Sequence, residues 1–152
     1  MFVTQDDRTV RYVTAAQPVF EDLRQVAAQL AGLLVLAATG SKDASPHHPM
    51  LESAKLVCVQ AIDGVNRVEA LTSDHTRAHH RRLVDAGAAL TDALGSADSW
   101  PIDVDAVLVP LRLAYAHLQN ASQLLPGFQM VSFEQACCTI PNRSLSTSLP
   151  TR

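Results

Sequence analysis

The sequence predicts an all-α fold, a four-helix bundle of the up-down type with a short C-terminal capping segment and flexible termini. Apolar residues recur at steps of three and four along four long segments, and clusters of Gly, Pro, Ser and Asp separate these segments. A chain of 152 residues, of which 47% are hydrophobic, buries a core without metals or disulfides. We therefore expect one helical domain.

The chain divides into three predicted parts: an N-terminal arm over residues 1–16, a helical bundle domain over 17–138 and a disordered tail over 139–152. Helix one is predicted over 18–39. Pro18 suits the first turn of a helix, and Gly40 ends the apolar run that follows it.

Helix two is predicted over 49–71 and has the clearest amphipathic pattern in the chain. Pro49 suits its first turn. On the polar face, Asp63 and Arg67 are one turn apart and can form an ion pair. Its predicted inward stripe contains Leu51, Ala54, Cys58, Ala61 or Ile62, Val65 and Val68.

Helix three is predicted over 74–94, with Ser73 or Asp74 as its cap. Its second half carries an apolar face, and extending that face backward places Thr76 and His79 toward the bundle interior. The residues of the apolar face are Leu83, Ala86, Leu90 and Leu94.

Helix four is predicted to begin after a cap at Asp103 and to end at Leu125, before a Pro-Gly pair. Pro110 should kink it, because a proline ring clashes with the carbonyl four residues earlier. Beyond this helix, Ser132 and Gln135 can cap one short helical turn. Phe128, Met130, Val131 and Phe133 are expected to cover the open end of the bundle.

Two helices carry more apolar surface than a lone bundle requires. The stretches 30–38 in helix one and 106–118 in helix four are apolar almost all round, whereas a surface helix needs one apolar stripe. A second subunit is the simplest cover, so we expect an isologous homodimer. The alternative places helix one at the centre of the bundle, with the N-terminal arm wrapped over it.

Histidines provide the most specific chemical signal. His75 and His79 lie one helical turn apart, so both imidazoles can reach one metal ion, and zinc or iron accepts such ligands. His80 and His117 are further candidate ligands for a metal or a small molecule. An inward His79 can equally be a hydrogen-bonded part of the core, and our main expectation is that no cofactor is bound.

Arg77, Arg81 and Arg82 form a basic face at the start of helix three, where positive charge opposes the helix dipole. This face is a candidate surface for a protein partner. Nucleic acid is not an expected partner, because the net charge is −3 and no aromatic residues are interleaved with the arginines.

Cys137 and Cys138 are adjacent, and a disulfide between neighbours is strained, so two free thiols are expected. Free thiols and the odd total of three cysteines favour a reducing, cytoplasmic location. The apolar runs are too short to span a membrane. Arginine and alanine are abundant, as GC-rich codons would produce, which favours a bacterial source.

Motifs for catalysis are missing from the sequence. It contains no Gly-rich phosphate loop, no dinucleotide-binding fingerprint and no Gly-x-Ser-x-Gly elbow. We therefore predict a non-catalytic accessory or interaction protein. The alternative hypothesis is a helical bundle that binds a metal or small ligand through His75, His79 and His80.

Overall fold

A computed structural model describes residues 5–40, 48–99 and 101–138, with side chains described for 7–40, 48–99 and 101–135. All regular structure in these residues is helical. The helices are α1 (Gln5–Ala38), α2 (Pro49–Val68), α3 (Arg77–Ser96), α4 (Val104–Leu124) and α5 (Phe133–Cys138), with a 3₁₀ turn over Glu69–Leu71. The predicted all-α bundle is confirmed.

The four long helices form a ring in which consecutive helices pack together and α4 closes back onto α1. α1 contacts each of the other helices. Its residues Leu30, Ala31, Leu33 and Leu34 are all buried within the single chain. Helix one thus lies at the centre of the bundle, as the alternative predicts, but no arm wraps over it, because residues 5–16 belong to the same helix.

α1 begins at Gln5, and the predicted start of this helix near residue 18 is wrong. Residues 5–16, predicted as an arm, continue the helix, and Tyr12 and Ala16 on this part are fully buried. Pro18 lies inside the helix, where it removes one backbone hydrogen bond. Burial of the apolar stripe on both sides of Pro18 outweighs that loss.

The predictions for α2 are confirmed. Its buried residues include every unambiguous member of the predicted stripe, and Ala61 rather than Ile62 is the buried alternative. Arg67 and Asp63 form an ion pair at 3.0 Å. The last three residues of the predicted helix two, 69–71, form the 3₁₀ turn that follows α2.

The inward face of α3 and the caps of α4 and α5 agree with the sequence. The apolar face predicted for helix three is buried, as are Thr76 and His79. Asp103 Oδ1 accepts a hydrogen bond of 3.2 Å from the Ala106 N–H and so caps α4. Ser132 and Gln135 cap α5 reciprocally, because the N–H of each bonds the side chain of the other, at 3.1 Å in both cases.

Close packing of α1 on α2 depends on Gly64. A Cβ atom at this position would lie 2.8 Å from Val19 Cγ2, and the stiff valine side chain has little freedom to move away. We expect Gly64→Val to lower the free energy of unfolding by about 2 kcal/mol, measured by urea denaturation. A Cβ atom at Gly95 in α3 would meet no heavy atom within 4 Å, so Gly95→Val is the matched control. Equal stability of the two variants would contradict this account.

Some predictions fall on residues that the structure does not describe. The tail from residue 139 lies outside the described residues. α5 carries Cys137 and Cys138, but their side chains also lie outside the described part. In the residues that are described, no helix combines the length and apolar character that a membrane crossing requires.

Candidate functional site: a buried tyrosine and histidine cluster

A hydrogen bond between α1 and α3 lies in the core of the bundle. Tyr12 Oη and His79 Nδ1 are 2.7 Å apart, and both side chains are fully buried. Their rings meet edge to face, with centroids 5.4 Å apart. This bond ties together two helices that lie across the ring from each other.

The sequence at the start of α3 positions His79. His79 and Leu83 are four residues apart on the inward face of the helix, and both are fully buried. The preceding turn is fixed by a hydrogen bond of 2.8 Å from the Ser73 N–H to Thr76 Oγ1, which resembles half of a capping box. The predicted cap at Ser73 or Asp74 is wrong, because Thr76 is the N-cap residue of α3 and Ser73 Oγ is buried without a hydrogen-bond partner.

His80 faces α2 rather than the Tyr12 pair. Its Nε2 lies 2.8 Å from the Val65 carbonyl oxygen, and since a carbonyl only accepts, Nε2 carries the proton and donates. At this end of α2 the Glu69 N–H bonds the Asn66 carbonyl. His80 therefore satisfies a carbonyl near the end of α2 and joins α3 to α2.

Aromatic side chains cover His79. The Phe128 ring lies on the imidazole with centroids 4.3 Å apart and contacts Phe20 of α1 at 5.1 Å. Gly127 adopts a φ of 95°, which glycine tolerates best, and its carbonyl accepts a 3.0 Å hydrogen bond from Gln17 Nε2. The predicted cover is confirmed for Phe128, whereas Val131 is 42% exposed.

Burial keeps the pair neutral at neutral pH. Burial, reinforced by the neighbouring His80, lowers the pKa of His79 to about 4. Burial also raises the pKa of the Tyr12 hydroxyl. His79 Nε2 is buried without a hydrogen-bond partner. Either tautomer of His79 leaves this nitrogen unpaired, which is a destabilising feature inside a core.

The other predicted histidines lie apart from this cluster. His75 is exposed. His117 on α4 is half-buried, and Arg82 Nη1 donates to its Nδ1 at 3.3 Å. Burial is the main cause of the lowered pKa of His117, opposed by Asp85 and reinforced by Arg82.

No three His, Cys, Asp or Glu side chains within the described residues are arranged to hold one metal ion. His79 bonds Tyr12 and His80 bonds Val65, so two of the three nominated ligands already use a ring nitrogen. Zinc or iron binding by the histidines stays a prediction.

The three arginines of the predicted basic face do not share one surface in the structure. Arg77 and Arg81 line an open groove between the end of α2 and the start of α3, together with His80. Arg77 pairs with Asp74 at 3.0 Å, whereas Arg82 points toward α4 and His117. The groove therefore presents two of the three predicted arginines.

In this arrangement the Tyr12–His79 pair has no side open to a substrate, because both side chains are fully buried. It acts as a structural hydrogen bond between α1 and α3. Tyr12 is not among the site residues predicted from sequence, although its spacing of four from Ala16 continues the inward stripe of α1 and signals burial. Comparison of the chain with models of known families, with curated proteins and with solved structures finds no match.

Proposed function

We propose that this protein is a non-catalytic interaction protein that forms an isologous homodimer through the outer face of α4. The observation that carries the proposal is the exposure of Val109 and Leu113, which are 71% and 52% accessible on the same side of this helix. Two large apolar side chains one turn apart are costly to leave in water.

The outer face of α4 carries an uncharged stripe about four turns long, flanked by the exposed side chains of Asp105 and Arg112. The residues of this stripe follow one another at steps of three and four, the spacing of a coiled-coil seam: Ala106, Val109, Leu113, Ala116 and Asn120. From the first to the last, this stripe is about 21 Å long at 1.5 Å per residue.

A second copy of the chain is the occupant that this stripe fits. The stripe itself is uncharged, and its flanking residues Asp105 and Arg112 carry opposite charges, so this face has no net charge that would select an oppositely charged partner. Leu113 lies at its midpoint, so a two-fold axis there would pair the stripe with itself in antiparallel orientation. Val109 of one copy would then meet Ala116 of the other, a large side chain beside a small one.

A charge in the middle of the stripe tests the proposal. We expect Leu113→Glu to raise the dimer dissociation constant at least a hundredfold in sedimentation equilibrium, because two buried carboxylates would face each other. Leu56 and Val59 form a comparably exposed apolar pair on the outer face of α2, at 67% and 69%, so Leu56→Glu is the matched substitution on the competing face and should leave association unchanged. A monomeric wild-type protein, or equal effects of both substitutions, would overturn the proposal.

A further inference from the structure

Among the contacts of His79 with the described residues, the one from Phe128 comes from a segment that is not helical. Residues 125–132 join α4 to α5 and are here named the latch segment. Phe128 occupies the space between the His79 ring, at 4.3 Å, and the Phe20 ring, at 5.1 Å. The latch segment thus closes the core over the His79 ring, whose Nε2 is buried without a hydrogen-bond partner.

The latch segment is attached mainly through side chains: Leu125 and Phe128 are buried, and Met130 packs against the core. The Gly127 carbonyl accepts from Gln17 Nε2, and the Phe128 ring is buried between its two aromatic neighbours. Helices α1 and α3, which form the rest of the cover, are held by continuous backbone hydrogen bonds. The latch segment can therefore open at lower cost than either helix.

A proton on His79 has no counter-ion in the closed arrangement. From α1 the titratable group that faces His79 is Tyr12, whose oxygen serves only Nδ1, and from α3 it is His80, a second imidazole. The α2 carbonyl nearby, that of Val65, already accepts from His80. The latch segment contributes the apolar Phe128. No carboxylate of the described residues pairs with His79.

We propose that the latch segment is an acid-operated latch, in which protonation of His79 releases Phe128 and admits water to Nε2 while the four long helices stay folded. The positively charged imidazole needs an acceptor at Nε2. Opening the latch segment is the smallest movement that supplies one.

Linkage fixes the size of the effect. In the closed state the pKa of His79 is about 4, and in contact with water it returns toward the ordinary histidine value near 6.5. The ratio of open to closed molecules therefore rises about tenfold for each pH unit between these two values. Above pH 7 the latch stays closed.

Fluorine NMR of protein labelled with 4-fluorophenylalanine measures this opening. We expect the Phe128 resonance, assigned through Phe128→Leu, to move to a solvent-exposed position as the pH falls from 7 to 4.5, while the far-ultraviolet circular dichroism still reports folded helices. His75→Gln is the matched control, because His75 is exposed, and it should open like the wild type. His79→Gln should stay closed.

Two results would overturn the latch. One is a Phe128 resonance that stays buried until the circular dichroism is lost, and the other is equal opening in His79→Gln. A proton NMR titration of the wild-type histidines needs no variant and gives an independent reading. A His79 ring that titrates near the ordinary histidine value of about 6.5 while Phe128 stays buried contradicts the proposal.

Discussion

Acidification from pH 7 to pH 4 is expected to lower the free energy of unfolding by about 3 kcal/mol through His79. Folding lowers the pKa of this side chain to about 4, so the unfolded chain takes up the proton first as the pH falls. The stabilisation is fully present above the unfolded pKa near 6.5 and is lost as the pH falls toward the folded pKa. Opening of the latch segment would make the decrease in the free energy of unfolding smaller, because the folded but open molecule also accepts the proton.

Urea denaturation at pH 7, 5.5 and 4 tests this result. His79→Gln should have a flatter dependence on pH than the wild type, even if its stability at pH 7 is lower. His75→Gln should follow the wild type, because His75 lies in water in both states. If the wild type and His79→Gln lose stability in parallel, His79 is not the group responsible.

The hydrogen bond between Tyr12 and His79 should show a strong energetic coupling. Tyr12→Phe leaves His79 Nδ1 buried without its partner, and we expect a loss of about 1–3 kcal/mol. His79→Leu leaves the Tyr12 hydroxyl unpaired, but it also removes the unpaired Nε2, so it should cost less.

The double variant Tyr12→Phe with His79→Leu removes both polar groups together. It should be more stable than the sum of the two single losses predicts, by about 2 kcal/mol, because no buried group is then left without a partner. The cycle is measured by thermal and urea unfolding at pH 7, where both groups are neutral. Strict additivity would show that the bond between α1 and α3 contributes nothing to stability.

The sequence predicted best those helices whose ends carry their own chemical signals. Asp103 caps α4 through its side chain, and Pro49 opens α2. The start of α1 lacks such a signal, and Pro18 imitates one. Local rules favour a helix that starts at proline, but burial of Tyr12 and Ala16 in the completed bundle decides otherwise.

Of the two residues of the candidate site, the sequence predicted the position of one, because local patterns report a helix face but not how helices pack together. Periodicity alone placed His79 on the inward face of α3, since it precedes Leu83 by one turn. Its partner Tyr12 is 67 positions away in sequence. That contact depends on how α1 and α3 pack, which no local pattern reports. The cover by Phe128 was expected, but its place on the imidazole depends on the turn at Gly127.

The two helices that the sequence describes as apolar almost all round differ in how exposed their apolar side chains are. α1 and α4 are both apolar almost all round, but α1 is enclosed by the other helices of its own chain. On α4, Val109 and Leu113 stay in contact with solvent. Of these two helices, α4 rather than α1 therefore offers the surface for the proposed homodimer.

Native mass spectrometry of the untagged wild-type protein at micromolar concentration tests the central claim most directly, because one spectrum reports the subunit count and any retained ligand. The homodimer proposal predicts twice the mass of the 16.4 kDa chain, with nothing else bound. A monomer would contradict it. A retained zinc or iron ion that His79→Ala removes would favour the metal-binding alternative instead.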